Sequence, residues 1–353
     1  MTYQLNDKVK DLIPYDAVAG DYKIRLDANE SFINPGTQFQ EEILSAVAGI
    51  ELNRYPDSKA TELCRKFAAF YGVDPERVVA GNGSDELITV ILGAFLRPQD
   101  KLLLFSPDFS MYQFYGVTYE KEGIVVEKNT ELVLTADLAI EAIEKAKPQA
   151  VVLSNPCSPT SLVISRDDAE KIVRSTDALV IIDEAYMEFS DQSIMDLTTA
   201  YDNLIILKTC SKALGLAAIR LGFAVSSKSI INALHCVRSP YNVNGLTQAV
   251  GCVIFSHPEY IRQAAAEIKK SRDYLYQEFL KFQGENQMIR IMKPETNFLF
   301  VEMKDAELIY TELKKESIIV RRLGDFLRIT AGTKEENDSL VEALGKIFRR
   351  LEE

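Results

Sequence analysis

Histidine is almost missing from this chain: His235 and His257 are the only two, and neither has a companion at metal-ligand spacing. That scarcity argues against a zinc centre and against a histidine-based nucleophile triad, so no metal is expected and any chemistry rests on other groups. Cysteine is sparse as well. Cys64, Cys157, Cys210, Cys236 and Cys252 are odd in number and lack paired spacing, which fits reduced thiols better than a disulfide framework. Positive charge is in deficit. With 40 basic against 52 acidic side chains and a net charge of −12, neither a nucleic acid nor a membrane surface is expected as the main partner, although a local basic pocket stays open. No apolar run approaches the ~18 residues of a membrane span. The opening "MTYQLNDKVKDLIPYD" has no apolar signal core, so a cytoplasmic protein is expected.

What is present, over 353 residues, is enough chain for one large domain and a smaller one. From residue 78 onward, short apolar runs alternate with helix-like segments: "RVVAGNG", "KLLLFSP", "GIVVEKN", "AVVLSNP", "ALVIIDEAY", "NLIILKTCSK" and "LGFAVSS". These runs lack period-two alternation, which predicts strands covered on both faces in a doubly wound, mostly parallel α/β sheet. Such sheets bind ligands at the carboxyl ends of their strands. After the charged amphipathic stretch "SHPEYIRQAAAEIKKSRDYLYQEFLKF", the pattern changes to "MIRIMK", "NFLFVEM", "AELIYTELKKE", "IIVRRL" and "FLRITAG", which predicts a smaller α+β domain. The expected division is an N-terminal arm over 1–45, a large domain over 46–258 and a small C-terminal domain over 259–353. No internal repeat or low-complexity tract interrupts it.

The stretch "LKTCSKALGLAAIRLGF" sets Lys212 just past a buried run, with Thr209 and Ser211 before it and Arg220 after it. An amine desolvated at a strand end can lose its proton and act as a nucleophile, whereas the ordinary alternative is a helix-start lysine in water. Asp183 and Tyr186, in "ALVIIDEAYMEF", end another buried run, where an aspartate is costly unless it meets a cation or donors, or caps a helix. In "GNGSDELITVIL", Gly83, Ser84 and Asp85 open a helix whose free N–H groups suit a phosphate, though a capped turn explains them equally well in isolation. Thr209, Ser211 and Arg220 would add hydroxyls and a guanidinium to the same phosphate. Phe109, in "SPDFSMY", follows a further strand and could stack on a planar ring or simply lie in the core. Together an amine, a partner for a ring nitrogen, a phosphate cradle and a stacking face point to one cofactor, pyridoxal 5'-phosphate.

An ordered series of stretches carries a resemblance over nearly the whole length: "IPY", "LDANES", "NRYPD", "GNGSDELI", "SPDFSMY", "VIIDEAYMEF", "SKALGLAAIRLGF", "SPYNVN", "KPETNFLF", "IIVR" and "FLRITAGT". The chain resembles the fold type I pyridoxal-phosphate aminotransferases and, within them, the histidinol-phosphate aminotransferase family. The resemblance implies that Lys212 carries the cofactor, that Asp183 partners its ring nitrogen and that Tyr186 donates to its ring oxygen. It implies that Gly83, Ser84, Thr209, Ser211 and Arg220 hold the phosphate and that Phe109 stacks on the ring. Tyr55 of "NRYPD" resembles a tyrosine that reaches the neighbouring subunit's cofactor, which implies a homodimer with shared sites. Arg328 looks like the residue that grips a substrate carboxylate, and Arg321 like a second anion clamp aided by Tyr15.

One stretch departs from the pattern. The family usually reads "NPNNPTG", but here it reads "NPCSPTS", so Ser158 stands where an asparagine donates to the ring oxygen and Ser161 stands at the glycine. The segment between Arg321 and Arg328 is also short for the family. The resemblance implies transfer of an amino group between glutamate and a phosphorylated or otherwise anionic compound. The alternatives are a threonine-phosphate decarboxylase, whose family shares most of these stretches, and a cofactor-binding regulator without turnover, for which no DNA-binding segment is seen.

Overall fold

A computed structural model describes residues 3–10, 12, 18–282 and 288–352. Its larger sheet has seven strands, in the spatial order Val78–Gly81, Gly222–Ser226, Leu204–Thr209, Leu179–Asp183, Ala150–Ser154, Lys101–Ser106 and Glu122–Glu127. The pairings are parallel except at Gly222–Ser226, which runs against both its neighbours. The four central runs after Val78–Gly81 are buried along nearly their full length, because helices cover both faces and leave no side to water.

Alternation along these strands sorts the core into two layers. Ile181, Ile205 and Leu207 pack with Leu87, Ile88, Ile91 and Leu92 of the helix Ser84–Phe95. Those four recur with helical periodicity, and burying each contributes roughly 1.5–3 kcal/mol. Val180, Ile182, Leu204 and Ile206 face the other layer, with Phe67, Phe223 and Phe255. Phe67 stacks on Phe223 with ring centroids 4.0 Å apart.

The smaller sheet has five strands, in the order Ile24–Leu26, Ile318–Leu323, Phe326–Thr330, Phe298–Met303 and Met288–Ile291. The first pair is parallel and the others antiparallel. Two findings bear on the division expected from the sequence. Within 1–45, Ile24–Leu26 is an edge strand of the small sheet, in register with Ile318–Val320, so this part of the expected arm packs onto that sheet. The helix Pro258–Leu280 begins at the boundary expected near residue 258 and serves both parts. That helix places Tyr260, Ile261, Ala264, Ala265 and Ile268 in the large core, and Leu275 and Phe279 in the small one.

Behind the end of the strand Leu179–Asp183, the large sheet buries an ionic cluster. Lys208 Nζ lies 2.5 Å from Glu188 and 3.7 Å from Glu184, all three side chains nearly inaccessible. Tyr71 donates to Glu188 at 2.7 Å, and Ser193 Oγ and the Ile194 amide donate to Glu184. Removing the one cation from this cluster leaves two buried carboxylates without compensation. The variant Lys208→Met is expected to lose about 3–5 kcal/mol of stability, read as a lower urea midpoint, with partial recovery when Glu188→Gln is added.

Candidate active site

The carboxyl ends of the parallel strands bring the expected residues together. Asp183 closes its strand almost wholly buried; its Oδ2 accepts from the Tyr112 hydroxyl at 2.9 Å and its Oδ1 from the Ala185 amide at 3.1 Å. Burial pushes this carboxyl up to about 7, against the pull of the two donors. Next along, Tyr186 is buried with its hydroxyl accepting from Asn29 Nδ2 at 2.8 Å, and its ring meets Phe298 edge-on at 5.3 Å. On the neighbouring strand, Thr209 Oγ1 and Ser211 Oγ lie 3.1 Å apart, and Ser211 also donates its amide to Thr209.

Lys212 follows. Its Nζ donates to the Ala28 carbonyl at 3.0 Å, so the amine reaches across to the N-terminal segment and is only half-buried. Phe109 is likewise half-buried and meets Tyr112 edge-on at 5.3 Å, beside Asp183's donor.

The phosphate cradle expected at "GNGSDEL" has a geometric signature. Gly83 adopts φ +83°, where a Cβ would fall 2.9 Å from Arg220 Nη2, and a Cβ on Gly222 would fall 2.4 Å from the Ser84 nitrogen. Backbone therefore approaches backbone at the first turn of Ser84–Phe95, and no side chain caps that helix start. Arg220 stands over it, paired with Asp85 at 3.2 Å and donating to the Ala217 carbonyl. Asp85 thus meets the cradle through Arg220. These donors, with the acidic Asp183 deeper in the site, fit a phosphate at one end and a protonated ring nitrogen at the other.

On the small sheet, Arg321 and Arg328 occupy directly opposed positions of adjacent strands, so their side chains leave the same face. The short segment between them is a tight hairpin through Gly324, at φ +61°. Arg328 donates to the Asp27 carbonyl at 2.8 Å and to Ser158 Oγ at 3.4 Å, and its guanidinium lies 5.6 Å from the Phe298 ring centroid. Asn155 does not stand in for the missing asparagine, since its side chain is exchanged with the backbone of Ile164.

Two expected residues are not brought to this place. Tyr55 is 80% exposed and stacks on Tyr241 at 4.5 Å. Tyr15 lies outside the described residues. Conversely, Asn29 and Tyr112 join the site without having been assigned to it. Both lie in stretches that carried the resemblance, "LDANES" and "SPDFSMY", but nothing in their spacing indicates that they meet Tyr186 and Asp183.

Comparison with known proteins bears on the family and the fold. Residues 22–344 match the family described as aminotransferase class I and II. The histidinol-phosphate aminotransferase of Clostridium kluyveri is 38% identical over 342 residues, covering 96% of each chain. That of Clostridium novyi is 37% identical over 341 residues, covering 95% of each. The crystal structure of histidinol-phosphate aminotransferase from Sinorhizobium meliloti in complex with pyridoxal-5'-phosphate superposes with a TM-score of 0.88 over 98% of both chains, at 20% identity, and so shares the fold. Sequence and fold together mean that this chain belongs to the class I and II aminotransferases.

Proposed function

We propose that this pyridoxal-phosphate aminotransferase moves an amino group between the glutamate/2-oxoglutarate pair and a phosphorylated or otherwise anionic amino compound of the histidinol-phosphate type, whose partner is the corresponding carbonyl compound. The observation that carries the reading is the pair Arg321 and Arg328, side by side on one sheet face, with Arg328 reaching the Asp27 carbonyl and Ser158 beside the Asp183–Lys212 cluster. A planar guanidinium binds a carboxylate through a two-pronged fork, and a second one beside it suits a distal phosphate or the side-chain carboxylate of glutamate. One pocket then serves two unlike substrates.

In this reading the Gly83–Ser84 turn, Thr209, Ser211 and Arg220 hold the cofactor's phosphate, with Asp85 orienting Arg220, and Phe109 covers its ring. Pyridoxal phosphate, when bound, supplies the electron sink for bond breaking at the substrate α-carbon. Asp183 holds the ring nitrogen's proton. Tyr186, oriented by Asn29, would donate to the ring oxygen. Lys212 would carry the cofactor, and its amine, which donates to the Ala28 carbonyl, would take and return the proton at the substrate α-carbon. Exposed Tyr55 serves the neighbouring subunit's site, which makes the working unit a homodimer, and the protein works in the cytoplasm.

Three measurements test this. Stopped-flow spectroscopy with glutamate is expected to show amination of the cofactor with release of 2-oxoglutarate. Arg328→Ala should lower kcat/KM for that half-reaction about a hundredfold, and Arg328→Lys less. Carbon dioxide release from phosphothreonine without amination by glutamate would instead identify a decarboxylase.

The second concerns Asp183, whose carboxyl the fold raises from 3.8 to about 7. Between these values the cofactor-free folded chain holds a proton that the unfolded chain has released, so its stability falls as pH rises through this window and levels off above it. Urea midpoints of the cofactor-free protein should show that slope, Asp183→Asn should flatten it, and bound cofactor, which pairs with the charged form, should reduce it.

Third, inactive Lys212→Ala and Tyr55→Ala proteins, mixed under subunit exchange, should regain activity through heterodimers with one intact site. Proven exchange without recovery would exclude a shared site.

A further inference from the structure

The loop 155–161, which follows the strand Ala150–Ser154, carries two hydroxyls that leave the large sheet and bond to the small one. Ser158 Oγ accepts from Arg328 Nη1 at 3.4 Å. Ser161 is fully buried, and its Oγ lies 2.5 Å from Thr296 Oγ1 and 3.3 Å from the Phe298 carbonyl. The Glu295 amide donates to both the carbonyl and the hydroxyl of Ser161, at 2.9 and 3.1 Å. Ser161 does this from φ +64°, in the left-handed region that favours glycine. A serine held there needs a compensating interaction, and the three contacts of its hydroxyl supply it.

We propose that Ser161, with Ser158, is a positioning residue of the aminotransferase site: the two hydroxyls form a clasp from the cofactor-side loop to the small sheet and set where the Arg328 guanidinium stands. Two routes lead from the loop to that group. Ser158 touches Arg328 directly. Ser161 anchors Thr296 and the Phe298 carbonyl, where the strand Phe298–Met303 begins. That strand pairs Phe300 with Arg328, and its Phe298 ring lies beside the guanidinium. A glycine at 161 has no hydroxyl for the second route. The chain therefore spends backbone strain on a link between sheets that sets the carboxylate grip, and substrate affinity is the quantity the clasp controls.

The inference rests on reading Arg328 as the carboxylate-binding residue, and its test separates the two. Ser161→Gly removes the hydroxyl and the strain together. The segment stays tied by Arg272 to the Thr296 carbonyl, by Asn297 to the Asn29 carbonyl and by the Ala331 amide to the Asn297 carbonyl, so the variant should fold. In the holoenzyme, amide hydrogen exchange at Glu295 and along Phe326–Thr330 should quicken about tenfold in Ser161→Gly and in Thr296→Val, and the double variant should exceed neither single one. KM for glutamate should rise about fivefold to tenfold, with kcat changed less than about twofold. Unchanged exchange overturns the clasp, as does a lowered melting temperature with KM unmoved, which would mark a merely structural serine. If the parent protein shows no reaction with glutamate, the amino-donor reading fails, and the exchange rates alone decide the clasp: quickened exchange supports it and unchanged exchange overturns it.

Discussion

A strand buried on both faces must settle its polar end inside the protein, and the strand Leu179–Asp183 does so in two directions at once. Side chains alternate along it, so Asp183 falls to the layer of Ile181 and Leu207, while Glu184 falls to the layer of Ile182 and Ile206. Neither carboxyl reaches water. Glu184 faces Lys208 from the adjacent strand, with Ser193 and Ile194 donating to it, and these partners offset part of the burial that raises its carboxyl. Asp183 is given only a tyrosine hydroxyl and an amide, which do not offset its desolvation, so the folded chain holds there a carboxyl poised near neutral pH. Asp183 has neutral donors where Glu184 has a lysine, and a cationic ring nitrogen would relieve that difference.

The groups that complete the site come from remote parts of the chain. Lys212 meets Ala28 across 184 positions, Asn29 meets Tyr186 across 157, and Arg328 meets Asp27 across 301. A single hydrogen bond of this kind nets roughly 0.5–1.5 kcal/mol, too little to close such loops alone. The cores do the closing. Ile24–Leu26 is held in the small sheet by its pairing with Ile318–Val320, and Leu26 is buried in that core, so 27–29 emerge at a fixed point between the two sheets. The helix Pro258–Leu280, packed into both cores, joins one sheet to the other.

The serine loop belongs to the same logic. A glycine at position 161 would take left-handed geometry without strain and would have no hydroxyl to bond. Here Ser161 keeps that geometry and adds hydroxyl contacts to the segment that starts the strand Phe298–Met303.

Much of this was legible in the residues. Unbroken apolar runs announced a covered parallel sheet, because a strand without a wet face has no reason to alternate. The ends of those runs announced Asp183, Thr209, Ser211 and Lys212, because polar groups placed there have nowhere else to go. The short segment between Arg321 and Arg328 became a hairpin that sets them opposite one another. What the chain's order could not express was pairing across space. Nothing local says that Tyr112 donates to Asp183, that Asn29 orients Tyr186, that Asp85 takes up Arg220 or that Ile24–Leu26 leaves the arm for the small sheet. Those contacts depend on how two cores pack and where the chain between them is forced to pass, and only the tertiary structure decides that.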